Sequence, residues 1–388
     1  MRERCQRLEG AEAILPILLW KAAVFLIIVI AFGLIPFRGS HSANIDPDNP
    51  PLSTSFSLWD AKHYIYLAEN GYRPGRIDNG FAPLYPLAMS TLNFVTGSSV
   101  ASGLLISNLA SGVGLYLFYV FVKRRFGADS AMRSLLLFLA FPTAFYLNLI
   151  YTEGLFLLLA MLFFLALHRR AFAAAAVFSF LLPLARPQGI FVIVPFALFL
   201  LLEAMEEARW RRASPKDRLV IRLTPRFLYL LVPLLAVAVW LGWMKAATGD
   251  AFAPFHAQGA FISQRSLGSL LKPWLPLTNL FIPNLTLHGF TTSVIDRAFF
   301  VAFVASLPVV YRRVDLVLFV FCLLMGMEPF LGSYMSYTRY VMLAFPLYIG
   351  WGVRFRGWGD YAFYAALFPL LMLQALFVSL HSLNYWVA

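Results

Sequence analysis

The chain has 388 residues, of which 60% are hydrophobic and only 13% charged, with a mean hydropathy of +0.73. A soluble domain runs near 45–50% apolar and about 25% charged, so this composition excludes the ordinary soluble enzymes and belongs to a membrane protein. The formal net charge of +12 invites a nucleic-acid partner, but 19 of the 31 Lys and Arg lie in short loops at alternate crossings, the positive-inside pattern, which needs no polyanion.

In chain order, the first apolar run is ILPILLWKAAVFLIIVIAFGLIPF, Ile14 to Phe37. It is too long for a signal-peptide core, has no small-residue cleavage site after it, and reads as a retained first span. About ten more spans follow, near 99–122, 128–147, 151–168, 171–185, 189–205, 227–247, 291–311, 315–331, 338–353 and 360–381. The expected fold is therefore an all-α polytopic membrane protein of about 11 spans, one integral domain over 1–388, with the N-terminus cytoplasmic. Two long loops, 37–98 and 248–290, then fall outside. The basic segment from Arg209 to Arg226 reads as a cytoplasmic tether. The runs at 171–185 and 189–205 are interrupted by ARPQG, and irregular backbone at that depth requires burial in protein or a wet cavity.

The first outer loop carries the most informative polar stretch, SLWDAKHYIYLAENGYRPGRIDNGFAPLYPL. Asp60, His63, Tyr64 and Leu67 fall at i, i+3, i+4 and i+7 and share one face of a helix. Asn70-Gly71 supplies its stop. Phe56, Trp59, Tyr64 and Tyr66 suit a headgroup region, so the helix is expected to lie on the outer surface. The plain alternative is an interfacial anchor with a solvated Asp60. Further outward polar residues are Glu153 at the start of one span, Arg186 at the end of another, Asp250 and Gln258 in the second outer loop, and Arg339 at a late span start. Their ordinary explanations are a helix-dipole carboxylate and snorkelling arginines. Asn108 and Glu328, inside spans, read as packing or water-bridging groups. Cys5 and Cys322 lie on different elements, and His41, His168, His256 and His288 lack ligand spacing, so no disulfide or metal site is expected. No phosphate loop, zinc spacing or nucleophile elbow is present, so any chemistry is expected from membrane-edge residues.

LWDAKHYIYLAENGY followed by NGFAPLYPL resembles the PIG-V family of mannosyltransferases. ISNLASGVGLYLF, FPTAFYLNLIYTEGLFLLLA, LARPQGI, the TGD…AQ loop and TRYVMLAFPLY continue the resemblance in order over roughly residues 57–350. Thr152 stands for the family's usual Ser, Ala82 for an aromatic, and Pro187-Gln188 for the eukaryotic Ser-Asn. The resemblance implies a GT-C-type transmembrane bundle with outward-facing loop helices. It implies a glycosyltransferase taking a mannosyl or other hexosyl residue from a polyprenyl- or dolichyl-phosphate sugar to a lipid-linked or glycan acceptor. The cell membrane, or the ER membrane of a eukaryote, is the expected location, with the site on the outer or lumenal face.

Carried onto this sequence, the family's acidic residue of the first outer loop is Asp60, the expected base for the acceptor hydroxyl. His63 would position it or bind acceptor phosphate. A glycosyl phosphate brings its own leaving group and needs no second carboxylate as acid. The leaving phosphate needs fixed cations, which arginine supplies with a planar fork. Arg186 and Arg339 are the candidates, with Lys62 and Arg73 behind them. Trp59, Tyr64, Tyr85, Glu153, Gln188, Asp250 and Gln258 complete the expected substrate-binding set. No cofactor or metal is implied, since the lipid-phosphate sugar is a co-substrate. The rival reading is a lipid or sugar transporter without transferase activity.

Overall fold

The computed structural model describes residues 9–38, 51–210, 224–260, 267–282, 286–289 and 293–387. Arg2, Arg4, Cys5, Arg7, His41 and the 211–223 part of the basic segment lie outside these. Among the described residues the structure is helical without a strand, the one extended pairing being an isolated bridge between Thr286 and Ser293.

Each expected span contains a helix. Among the described residues six stretches are long and apolar enough to cross a membrane: Ala11–Leu34, Ser99–Phe126, Pro187–Arg209, Pro225–Thr248, Val294–Tyr311 and Asp360–Ser382. They make the protein a multi-pass membrane protein. The first contains α1 (Ile14–Leu34), at about 1.5 Å per residue some 31 Å long, a full hydrocarbon thickness. It buries Ile17, Trp20, Val24, Ile28 and Ala31 on one stripe and leaves Leu15, Leu18, Leu19 and Leu26 exposed. Apolar residues on both faces are what a helix between protein and lipid requires. Outside the membrane-length helices come α2 (Asp60–Asn70) and α3 (Leu84–Thr96). Gly71, at φ 68°, ends α2 where the sequence places the stop.

The centre is built on α4 (Ser99–Phe126), whose stripe of Gly103, Ser107, Ser111 and Gly114 is buried. It packs against α5 (Ala128–Leu139) and α6 (Glu153–His168). A Cβ on Gly154 of α6 would lie 2.8 Å from the Ser107 carbonyl, and one on Gly114 would lie 3.1 Å from the Leu158 nitrogen. The two backbones approach this closely because small residues meet there. Next come α7 (Phe172–Ala185), α8 (Ile193–Trp210), α9 (Leu231–Thr248) and two short helices of the second loop, α10 (Ala253–Ala260) and α11 (Leu275–Leu280). The chain closes with α12 (Val294–Tyr311), α13 (Leu316–Gly326), α14 (Tyr337–Val341), α15 (Pro346–Arg354) and α16 (Asp360–Ser382), which packs on α1.

Two expected helical stretches are broken, the ARPQG interruption is present as read, and these three breaks decide the site. The 128–147 stretch stops at Leu139, after only about 18 Å of rise. Pro142 cannot continue the helix, and residues 140–152 are buried. Their backbone groups find partners elsewhere. Gln374 Nε2 donates to the Leu139 and Phe141 carbonyls at 2.9 and 2.6 Å, and Asn108 Nδ2 to that of Asn148 at 2.9 Å. Ser107 Oγ donates to the Tyr151 carbonyl at 3.1 Å. Between α7 and α8 Arg186 is extended, and a 3-10 turn, Pro187–Val192, re-enters the bundle. The 338–353 stretch is two short helices, α14 and α15, separated just before Pro346. Irregular backbone inside a membrane protein survives when its polar groups are satisfied this way.

Basic residues of several loops pair at one end of the bundle, while Lys62, Arg73 and Arg76 lie at the α2 end. Arg124 pairs with Glu9 at 2.5 Å, Lys123 with Glu12, Arg125 with Asp315 at 2.9 Å, and Arg170 with Glu203 at 2.9 Å. At the opposite end of α1 and α4 lie α2, α3 and the second loop.

Candidate active site

The three breaks deliver three charged side chains to one point below α2. Glu153 opens α6 and is completely buried. Its Oε1 accepts from Arg186 Nη1 at 2.6 Å and from Arg339 Nε at 2.5 Å. Arg339 also donates from Nη1 to Asp60 Oδ2 at 2.6 Å, and Arg186 Nη1 to Thr152 Oγ1 at 3.0 Å. One carboxylate thus bridges two guanidiniums, and one guanidinium bridges two carboxylates. The four-residue cluster is formally neutral, which is how buried charge persists in an apolar protein. Tyrosine faces line it: Arg339 lies 4.5 Å from the Tyr151 ring centre and 5.1 Å from that of Tyr146. Arg186 lies 4.8 Å from that of Tyr340. Glu153 Oε2 and Arg186 Nε are buried without a hydrogen-bond partner, an acceptor and a donor left over beside the cluster.

Two strained residues aim the cluster's outer members. Trp59, immediately before Asp60, has φ 54°, and Ser336, three residues before Arg339, has φ 60°. Non-glycine residues hold that region only where surrounding contacts enforce it. The Trp59 ring meets that of Trp386 edge-on at 5.2 Å. Thr338, next to Arg339, gives both its N–H and its hydroxyl to Asp296 Oδ1 at 2.9 Å, while its carbonyl accepts from Thr143 Oγ1 at 2.9 Å. Asp60 is about 30% exposed at its side chain. Burial pushes its carboxyl up, but Arg339, by charge and hydrogen bond, together with His63 and Arg186 holds it below the ordinary carboxylate value.

Several sequence expectations change here. The charged residues meet inside the bundle rather than at the end of α4. Gly154 abuts Ser107, eight residues into α4, which places Glu153 about 12 Å below that helix's start. The reason is the shortness of α5, which lets the following segment begin α6 inside the bundle. Arg339 makes a hydrogen bond that holds Asp60, and His63 adds a favourable charge beside that carboxylate. The His63 Nδ1 lies 2.5 Å from Asp78 Oδ1, and its ring stacks on Phe81 at 4.9 Å. Asp78, which the sequence did not single out, is buried and also binds Arg76 through Oδ2, at 2.8 Å to Nε and 2.7 Å to Nη2. Tyr64 is not a headgroup residue but is buried among Phe81, Tyr85 and Tyr151 at 5.0, 5.2 and 6.4 Å. Tyr85 is enclosed too; its hydroxyl donates to the Gly103 carbonyl at 2.9 Å and lies 2.7 Å from Ser107 Oγ, where either hydroxyl can donate.

Lys62 and Arg73 are exposed, Arg73 donating to the Asn70 carbonyl at 3.4 Å. Gln188 keeps a buried Oε1 without a partner. Asp250 pairs with His256 at 2.7 Å. Its carboxyl is lowered first by the Phe252 N–H, then by that histidine. Gln258 Nε2 donates to the Gly80 carbonyl at 3.0 Å, tying α10 to the loop after α2. Lys21, a cation inside α1, donates to Asn108, Ser111 and Asn148 at 3.2, 2.6 and 2.7 Å. Its signal was legible, since a charge within an apolar run marks a polar partner. Asp296 and Asp78 gave no such signal, sitting beside other polar residues. Among the described residues no group of three His, Cys, Asp or Glu is placed to hold a metal.

Fold and site together define a multi-pass helical membrane protein with a recessed arginine–carboxylate cluster under a short amphipathic helix. No family model matches the chain. Over 158 residues it is 30% identical to GPI mannosyltransferase 2 of Aspergillus fumigatus, a match that takes in 36% of this chain and 30% of that protein. The resemblance to mannosyltransferases read from the motifs is thus met by sequence similarity, over less than a third of the relative's length. Among solved structures it is similar to ArnT from Cupriavidus metallidurans bound to undecaprenyl phosphate, with TM-score 0.49, 12% identity, and 95% of this chain and 76% of that one covered. It is also similar to the archaeal oligosaccharyltransferase AglB from Archaeoglobus fulgidus in complex with an inhibitory peptide and a dolichol-phosphate, with TM-score 0.43, 14% identity, and coverage of 95% and 56%.

Proposed function

We propose that the protein is a glycosyltransferase that moves a mannosyl, or closely related hexosyl, residue from a polyprenyl- or dolichyl-phosphate sugar to a lipid-linked or glycan acceptor. The observation that carries this is the pair of arginines bridged by Glu153, with Asp60 on the free edge of one of them. The sequence similarity to a GPI mannosyltransferase supports the sugar. In the reaction, the acceptor oxygen attacks C1 of the donor sugar while the C1–O bond to phosphate breaks. The acceptor proton passes to Asp60 and the electron pair of the broken bond to the phosphate. Polyprenyl phosphate leaves, and displacement from the opposite face inverts C1. Arg186 and Arg339 stabilise the charge that gathers on the departing phosphate, each remaining ionised and offering a fixed fork. These cations supply the electrostatics without a cofactor, and the lipid-phosphate sugar is a co-substrate.

The collection of basic residues at the far end of the bundle supports a cytoplasmic N-terminus, with α2 and the site on the outer face. A donor carried by lipid suits that face, and a site about 12 Å below the start of α4 suits a phosphate whose prenyl chain remains in the bilayer. The test uses purified protein in liposomes with mannosyl-phosphoryl-polyprenol and candidate glycolipid acceptors. Release of polyprenyl phosphate with mannosylated acceptor is expected. Transbilayer movement of the intact lipid without release would instead identify a transporter.

A further inference from the structure

Resting on that reading, the geometry of Arg339 carries a consequence for the order of events. Arg339 holds its two anions with different nitrogens: Nε on Glu153 and Nη1 on Asp60. The two carboxylates are not equivalent. Glu153 is completely buried and shared with Arg186, so moving it would strand a charge in an apolar interior. Asp60 is about 30% exposed and can exchange its guanidinium for water. The cluster is already neutral with two arginines and two carboxylates, so a phosphodiester entering it is a third anion. Within the cluster it gains the full charge of a guanidinium where a carboxylate lets go, and the unpartnered Arg186 Nε stands beside that place. A carboxylate held by a guanidinium is also a weak base, because the cation opposes protonation.

We propose that Asp60 and the lipid-linked phosphate compete for the Nη edge of Arg339, so that donor binding releases Asp60 to take the acceptor proton. In the donor-free protein the carboxylate occupies the phosphate's place and is held back from the acceptor hydroxyl. Entry of the phosphate moves Arg339's hydrogen bond from one anion to the other. The base is thereby freed only when a leaving group is in position. The step is an exchange of hydrogen bonds and needs no further reactant. It makes donor binding precede productive acceptor activation.

The test separates binding from catalysis. The probe is farnesyl phosphate, a short isoprenoid phosphate, titrated calorimetrically into the full chain in detergent, with farnesol as the phosphate-free control. Asp60→Asn removes the competing charge, so it is expected to bind farnesyl phosphate about tenfold more tightly than the unmodified protein, with farnesol binding unchanged. Asp60→Ser, which leaves room for water beside Arg339, should bind tightly in the same way and serves if the first variant fails to fold. Equal or weaker farnesyl phosphate binding in these variants overturns the competition and leaves the transferase reading standing. If neither the unmodified protein nor the variants distinguishes farnesyl phosphate from farnesol, the phosphate-donor reading falls and the competition falls with it.

Discussion

Replacing Arg339 with lysine keeps the charge and removes the fork. In the structure the guanidinium reaches Glu153 Oε1 through Nε and Asp60 Oδ2 through Nη1, 2.5 and 2.6 Å away. A lysine carries one nitrogen and cannot reproduce two directions set by a planar group. Once the donor phosphate has replaced Asp60 on the Nη edge, lysine therefore lacks one charged hydrogen bond to it, a class of contact contributing about 1.5–3 kcal/mol. Because that edge, where Asp60 lies, is partly open to water, water replaces some of the loss, leaving about 2 kcal/mol. At about 1.4 kcal/mol per decade this predicts a fall of roughly 30-fold in kcat/KM for the donor. Glu153 keeps Arg186, so the fold should survive, which size-exclusion of the detergent-purified protein checks. The assay is transfer from radiolabelled mannosyl-phosphoryl-polyprenol over a donor concentration series. Donor curves that superimpose on those of the unmodified protein would mean that Arg339 acts as a plain charge near headgroups, and would refute the phosphate assignment.

Asp60→Asn should lower transfer by at least about 10²-fold, the usual contribution of a positioned base, and near-normal turnover would move the assignment to Glu153. Gly189→Ala should lose folded yield, because a Cβ there would lie 2.2 Å from the Leu182 carbonyl carbon and 2.3 Å from its oxygen. Backbone atoms cannot yield as a flexible side chain does, and normal yield in thermal unfolding and expression trials would contradict the close approach. Single cysteines at Ser57 and Ser269 should react with an impermeant thiol reagent in intact cells, while one at Ser214 should not. The reverse pattern would put α2 in the cytoplasm.

Much of the helical order was legible in the sequence, because a bilayer imposes a length and an apolar composition on whatever crosses it. The runs gave α1, α4 and α16 within a few residues, and Asn70-Gly71 gave the end of α2. Glu153, Arg186 and Arg339 stood out as charges in apolar surroundings, and a buried charge announces that it has a partner without naming it. Which partners meet was settled by tertiary structure. Asp60 and Arg339 are 279 positions apart, yet they touch. Periodicity reports the face a helix buries, not the element it is buried against. The depth of the cluster was likewise invisible, since it follows from α5 ending at Leu139 and from the carbonyls there being taken up by Gln374, more than 230 positions away. Asp78 was hidden for the same reason: in sequence it is one polar residue in a polar loop, and only folding brings it against His63 and buries it. Sequence determined the segments, the ARPQG interruption and the isolated charges; the breaks after Leu139 and before Pro346, with hydrogen bonds from distant side chains, decided that those charges share one neutral cluster.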